Sequence, residues 1–106
     1  MELLEEFKII LLNRSNKVLG FVNISQGGIS GTIADPKIIF AIALKACASS
    51  IILSHNHPSG EIYPSDADIK LTRRLVEIGN LLDLQVLDHI IISSEAYYSF
   101  KDEGVI

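Results

Sequence analysis

Residues 50–68 read Ser50-Ile51-Ile52-Leu53-Ser54-His55-Asn56-His57-Pro58-Ser59-Gly60-Glu61-Ile62-Tyr63-Pro64-Ser65-Asp66-Ala67-Asp68. Ser50 to Ser54 is a short apolar run of the length and content of a buried strand. It ends at His55 and His57, and a loop carrying Pro58, Gly60 and Pro64 follows. A helix opens near Ser65. A buried strand that delivers two histidines to a loop, followed by a helix, is the α/β arrangement in which sites gather at strand ends.

The same stretch carries chemistry. Side chains two apart on an extended segment point to one side, so His55 and His57 converge and Asn56 faces away. Pro58 and Pro64 stiffen the chain before Asp68 arrives in the first turn of the helix. Two imidazoles and one carboxylate make three protein ligands, and a fourth position left to water is the arrangement of a catalytic zinc. Iron, cobalt or manganese also suits such a donor set. Ser65-x-x-Asp68 has a structural account as well: Ser65 as N-cap and Asp68 as the acidic residue three positions on, a variant of the capping box. The two accounts are compatible, with Ser65 starting the helix while Asp68 turns toward the histidines.

Phe7 to Leu12 is a nearly continuous apolar run, as a strand buried on both faces would be. Asn13 to Asn16 reads as a turn, and Val18 to Ile24 as the second strand of a hairpin. Ser25 to Gly31 is a glycine-rich loop with no phosphate-binding pattern after it. Asp35-Pro36 starts a helix that is expected to run to about Ala48, with Cys47 as a small buried hydrophobe inside it. The helix from near Ser65 extends to about Leu82, with Ile69, Leu75, Val76, Ile78, Leu81 and Leu82 on its apolar side. Leu84 to Ile92 is a long strand holding His89, read as a histidine satisfied by a backbone or carboxylate partner or as one that orients a ligand. Ser94 to Phe100 reads as a short helical turn with Tyr97, Tyr98 and Phe100 in a core or edge cluster. The order β-β-α-β-α-β implies a mixed sheet with helices packed on it.

A chain of 106 residues, nearly half of them apolar, is read as one domain with one core. The formal net charge of −4 argues against a nucleic-acid surface, which is normally basic. A single cysteine excludes an internal disulfide. No apolar stretch reaches membrane-spanning length, and Met1 to Glu6 is acidic where a secretory leader would be basic, so the expected compartment is the reducing cytoplasm.

His55-x-His57-Pro58, then Ser65-x-x-Asp68 after seven residues counted from Pro58 inclusive, resembles the JAMM signature of MPN-domain metalloproteases, and within that group the bacterial RadC-like family. Gly31-Thr32, Ala48 to Gly60, Pro64 to Thr72, Leu87 to Ile90 and Ser99-Phe100 share the likeness, which runs from about Glu5 to Ile106. The resemblance implies a three-layer α/β/α domain of the MPN (JAB, cytidine-deaminase-like) type with a mixed central sheet. It further implies Zn2+ on His55, His57 and Asp68, a water as fourth ligand, a glutamate as general base and Ser65 at the oxyanion. The family's Glu-x-Phe pattern points to Glu5 as that base ahead of Glu6 or Glu61. The implied function is hydrolysis of an amide bond in a peptide or isopeptide. Rival readings are a metal-stabilised interaction module, a DNA-repair role suggested by the family name, and a zinc deaminase, for which the Pro-Cys-x-x-Cys element is missing. Two departures stand out. The first helix opens Pro36-Lys37-Ile38 where the family often has Pro-Arg-Glu, and the N-terminal helical region of many members is expected to be lacking.

Overall fold

The computed structural model describes residues 5–26, 34–57 and 59–106. Gly27, Gly28, Gly31, Thr32 and Pro58, each given a reading above, lie outside the described residues.

Strand β1 spans Glu6–Leu12 and β2 spans Val18–Gln26, two residues into the expected loop. Asn13 makes the turn between them: its side-chain oxygen accepts from the Ser15 and Lys17 amides, both at 2.9 Å. Helix α1 spans Pro36–Lys45, capped by Asp35, whose carboxylate accepts from the Lys37 amide at 2.9 Å. β3 runs Ser50–Asn56, α2 Asp66–Leu81, β4 Gln85–Ile92 and β5 Tyr97–Ser99. The described strands form one sheet in the order β2-β1-β3-β4-β5, with β3 and β4 parallel and the other neighbours antiparallel. The α/β class and the mixed central sheet thus stand as expected.

Alternation along β1 and β3 sends Phe7, Ile9, Leu11, Ile51 and Leu53 to one face, and all are buried. Ile39, Phe40 and Ala43 of α1 and Leu75 of α2 join the same cluster. Each of these side chains other than Ala43 contributes about 1.5–3 kcal/mol when fully buried. On the other face Lys8, Ile10, Ile52 and Ser54 are only half-buried, and Phe21 and Ile92 are exposed. Among the described residues, therefore, both helices serve one face of the sheet. β1 is likewise apolar, but apart from Leu12 at its end it is fully buried on that face alone.

Three expectations change. First, α1 stops at Lys45, short of Cys47. Cys47 sits at φ 56 just past the helix, its amide bonded to the Leu44 carbonyl and the Ala48 amide to the Ala43 carbonyl, both at 3.0 Å. That pair of bonds is a Schellman ending, which turns the chain outward and leaves Cys47 exposed instead of buried. Second, α2 buries Thr72, Leu75 and Gly79, while Leu81 is 87% exposed. The inner stripe is set by a close approach: a Cβ on Gly79 would stand 2.4 Å from the Leu84 carbonyl oxygen. Third, the segment read as a helical turn is a hairpin. Ser93 accepts the Ala96 amide on its hydroxyl and donates its own amide to the Ala96 carbonyl, so the chain returns as β5 alongside β4. Phe100 is fully buried, Tyr98 half-buried and Tyr97 exposed. No described helix is long and apolar enough to cross a membrane.

Candidate metal centre

β3 delivers its two histidines to the end of the sheet. His55 occupies the buried face, 3% exposed, and His57 follows two residues later, its amide bonded to the Ile92 carbonyl at 3.1 Å. Their Nε2 atoms stand 2.8 Å apart. The Asp68 carboxylate, on the first turn of α2, approaches both: Oδ1 lies 3.8 Å from His55 Nε2 and Oδ2 3.6 Å from His57 Nε2. Glu5 is the residue just ahead of β1. Phe7 pairs with His55 across β1 and β3, and Glu5, two residues earlier, shares its face. Ligand atoms of Glu5, His55 and His57 all lie within 4.8 Å of one another. Two imidazoles are thus flanked by two carboxylates.

The helix cap and the site share Asp68. Ser65 accepts the Asp68 amide on its hydroxyl at 3.0 Å, and the Asp68 carboxylate accepts the Ser65 amide at 2.9 Å, closing the capping box. The carboxylate is fixed by that bond while it faces the histidines. His57 is held by its other nitrogen, which donates to the Glu61 carbonyl at 2.7 Å. The Glu61 side chain is in an exposed position, so the backbone of this residue takes part in the site. Gly60, at φ 92, lets the turn close, with its amide on the His57 carbonyl at 2.9 Å.

Aromatic rings wall the buried half. Phe7 stacks on His55 at 5.7 Å between ring centres, and Phe100 stacks on His89 at 4.4 Å. His89 Nε2 lies 2.8 Å from His55 Nδ1, and His89 Nδ1 lies 2.6 Å from the Thr72 hydroxyl. Burial pushes His55 from its ordinary 6.5 down to about 4; the Asp68 charge opposes the fall and the neighbouring His57 adds to it. Burial likewise pushes His89 down to about 3, with smaller contributions from His55 and His57. Both rings are neutral at ordinary pH, the state in which an imidazole binds a metal.

The donor set fits a divalent ion. Zinc takes imidazole nitrogen at about 2.0–2.1 Å, which in a tetrahedron spaces ligand atoms by roughly 3.3 Å. The nitrogens stand 2.8 Å apart and the carboxylate approaches them to 3.8 Å with Oδ1 and 3.6 Å with Oδ2, values on either side of that spacing. Two acidic side chains also supply the charge that balances a dication.

The structure brings His55 and His57 close to Asp68 and, separately, close to Glu5, and Ser65 sits at the cap beside Asp68. Several partners were not read from the sequence. Asn56 does point away from the histidines, yet its side-chain oxygen accepts the Glu6 amide at 2.6 Å and ties down the chain next to Glu5. Thr72 closes the stretch Pro64 to Thr72 that carries the family likeness, and its place one turn after Asp68 puts it on the same helix face, yet no role follows for it from the sequence. Asp88 anchors the last turn, accepting the Ser99 hydroxyl at 2.6 Å and the Lys101 amide at 3.0 Å.

A family model described as the RadC-like JAB domain matches residues 1–105. A UPF0758 protein of Flavobacterium johnsoniae is 48% identical over 101 residues, which cover 95% of this chain and 44% of that protein. UPF0758 proteins of Alkaliphilus metalliredigens and Porphyromonas gingivalis are 48% and 47% identical over 96% of the chain, covering 44% and 45% of their own lengths. The chain spans less than half the length of these curated relatives.

Proposed function

The chain belongs to the RadC-like JAB domain family, and on that premise we propose that it is a zinc-dependent hydrolase of amide bonds, in a peptide or isopeptide. The observation that carries this reading is the convergence of His55 Nε2, His57 Nε2 and the Asp68 carboxylate at separations that suit one ion, with a second carboxylate, Glu5, beside them. When bound, zinc lowers the pKa of a water to about 7 and polarises a carbonyl.

The chain's own residues do the rest. Glu5 takes a proton from the attacking water and hands it to the leaving amine. Its carboxylate is held near the histidines by the Asn56–Glu6 bond and by the strand pairing behind it. Ser65 uses its oxygen to accept the Asp68 amide, which leaves its hydroxyl proton to donate to the oxyanion as charge develops there. Asp68 and the Glu61 carbonyl keep the two imidazoles aimed at one point.

The test measures zinc content and hydrolysis of peptide and isopeptide substrates together. Asp68→Ala is expected to lose bound zinc. Glu5→Gln is expected to keep zinc and lose turnover by at least about 100-fold, the scale of a lost general base. Full turnover in Glu5→Gln would remove Glu5 from the mechanism, and unchanged zinc in Asp68→Ala would remove Asp68 from the ligand set. Zinc uptake with no turnover on any amide substrate would favour the interaction module over the hydrolase.

A further inference from the structure

We propose that Thr72 and His89 are positioning residues of this centre: they hold the His55 ring in the tautomer whose Nε2 lone pair faces the ion. The inference rests on the metal reading above and concerns two residues to which that reading gives no part.

Thr72 donates its hydroxyl to the Asp68 carbonyl at 2.7 Å. A hydroxyl has one proton, so toward His89 the Thr72 oxygen is an acceptor. His89 Nδ1, 2.6 Å from that oxygen, must therefore carry its ring's hydrogen. A neutral imidazole has only one N–H, so His89 Nε2 accepts, and His55 Nδ1 donates to it across 2.8 Å. His55 Nε2 is left as a bare lone pair. It faces His57 Nε2 at 2.8 Å, itself a lone pair because His57 Nδ1–H goes to the Glu61 carbonyl. Two lone pairs at that distance repel, and a cation between them relieves the repulsion.

A chain of the opposite sense also closes. Thr72 would donate to His89 Nδ1, His89 Nε2–H to His55 Nδ1, and His55 Nε2–H to His57. That sense caps His55 Nε2 with a proton and bars it from a metal. The bond from Thr72 to the Asp68 carbonyl selects between the two. Because Asp68 also offers its carboxylate to the centre, one turn of α2 places one ligand and sets the tautomer of another. The packing supports this: His89 is 1% exposed, clasped between Phe100 and the edge contact of Phe7, so the ring has no room to swing to other partners.

Long-range 1H–15N spectra of the imidazole rings read each tautomer directly. In zinc-loaded protein, His89 is expected to be protonated on Nδ1. Thr72→Val is expected to bind zinc about 10–100-fold more weakly in a chelator competition. Thr72→Ser, which keeps the hydroxyl, is expected to restore the affinity, which a loss of mere packing would not allow. His89→Phe, which keeps the ring stack but removes the acceptor, is expected to fall like Thr72→Val. A zinc-loaded protein with the His89 proton on Nε2, or a folded Thr72→Val that binds zinc as well as the parent, overturns the proposal. Should either variant not fold, the spectra of the unaltered protein decide alone. If the unaltered protein takes up no zinc at all, the metal reading fails instead. The zinc-free spectra then still judge the relay: His89 protonated on Nδ1 upholds it, and on Nε2 overturns it.

Discussion

Two histidines, at positions 55 and 89, are neutral where a solvent-exposed histidine would take up a proton in mild acid. Burial pushes them from 6.5 to about 4 and about 3. Released into an unfolded chain, both would titrate near 6.5. As pH falls below 6.5 the unfolded state binds protons that the folded state refuses, so stability drops through this window; above it these two groups have no effect. The metal-free protein is expected to lose on the order of 2 kcal/mol per pH unit from about pH 6.5 down to about pH 4. Urea midpoints in chelator check this, and a flat profile across that range would show that the rings are not shielded as described. His55, His57 and Asp68 could be found from the sequence because two local rules, strand alternation and the capping box, place them. His89 could not be assigned its partners. Its meeting with His55, 34 positions away, depends on a register shift between Ile51 and Ile52 in the β3–β4 pairing that no local pattern encodes.

Both helices end the same way, and neither end uses glycine. Cys47 and Asp83 each take φ 56 at the residue where a Schellman ending needs a left-handed turn. A residue with a Cβ is disfavoured there by about 1–2 kcal/mol, partly offset by the extra freedom glycine has when unfolded. Cys47→Gly is therefore expected to raise stability by up to about 1 kcal/mol in urea unfolding. Gly79 is the opposite case. It lies inside α2, where alanine would ordinarily be favoured by about 1 kcal/mol. The 2.4 Å approach to the Leu84 carbonyl reverses that preference, since the obstacle is backbone and the Leu84 amide is itself bonded to the Gly79 carbonyl at 2.8 Å. Gly79→Ala is expected to destabilise by about 1–3 kcal/mol, whereas Asn80→Ala, on the exposed side, is expected to be neutral or slightly stabilising. Equal urea midpoints for the two would mean that the chain after α2 yields easily. The starts of both helices were legible because their caps are written locally, in Asp35-Pro36 and Ser65. The end of α1 was less so. Nothing in Ala46-Cys47-Ala48 breaks a helix, and the chain leaves it to reach β3, where the Ser49 amide bonds the Leu12 carbonyl at 2.8 Å.

At the scale of the molecule, the centre is where separate parts of the fold are fastened. β1 brings Phe7, with Glu5 just ahead of the strand; β3 brings His55, with His57 just after it; α2 brings Asp68 and Thr72, and β4 His89. An ion held here would join a sheet end to a helix start and, by preferring the folded chain, would stabilise folding by mass action. Free zinc at about 100 times its dissociation constant should add about 2.7 kcal/mol. For a domain of this size that corresponds to a rise in Tm of roughly 10–20 °C. The rise should vanish in Asp68→Ala and in chelator, and persist in Glu5→Gln if Glu5 serves the water and not the ion. Scanning calorimetry of the three proteins with and without zinc separates these outcomes. A shift that survives Asp68→Ala unchanged would place the ion elsewhere. A shift lost in Glu5→Gln would make Glu5 a ligand, and the proton of the attacking water would then have to go to some other group.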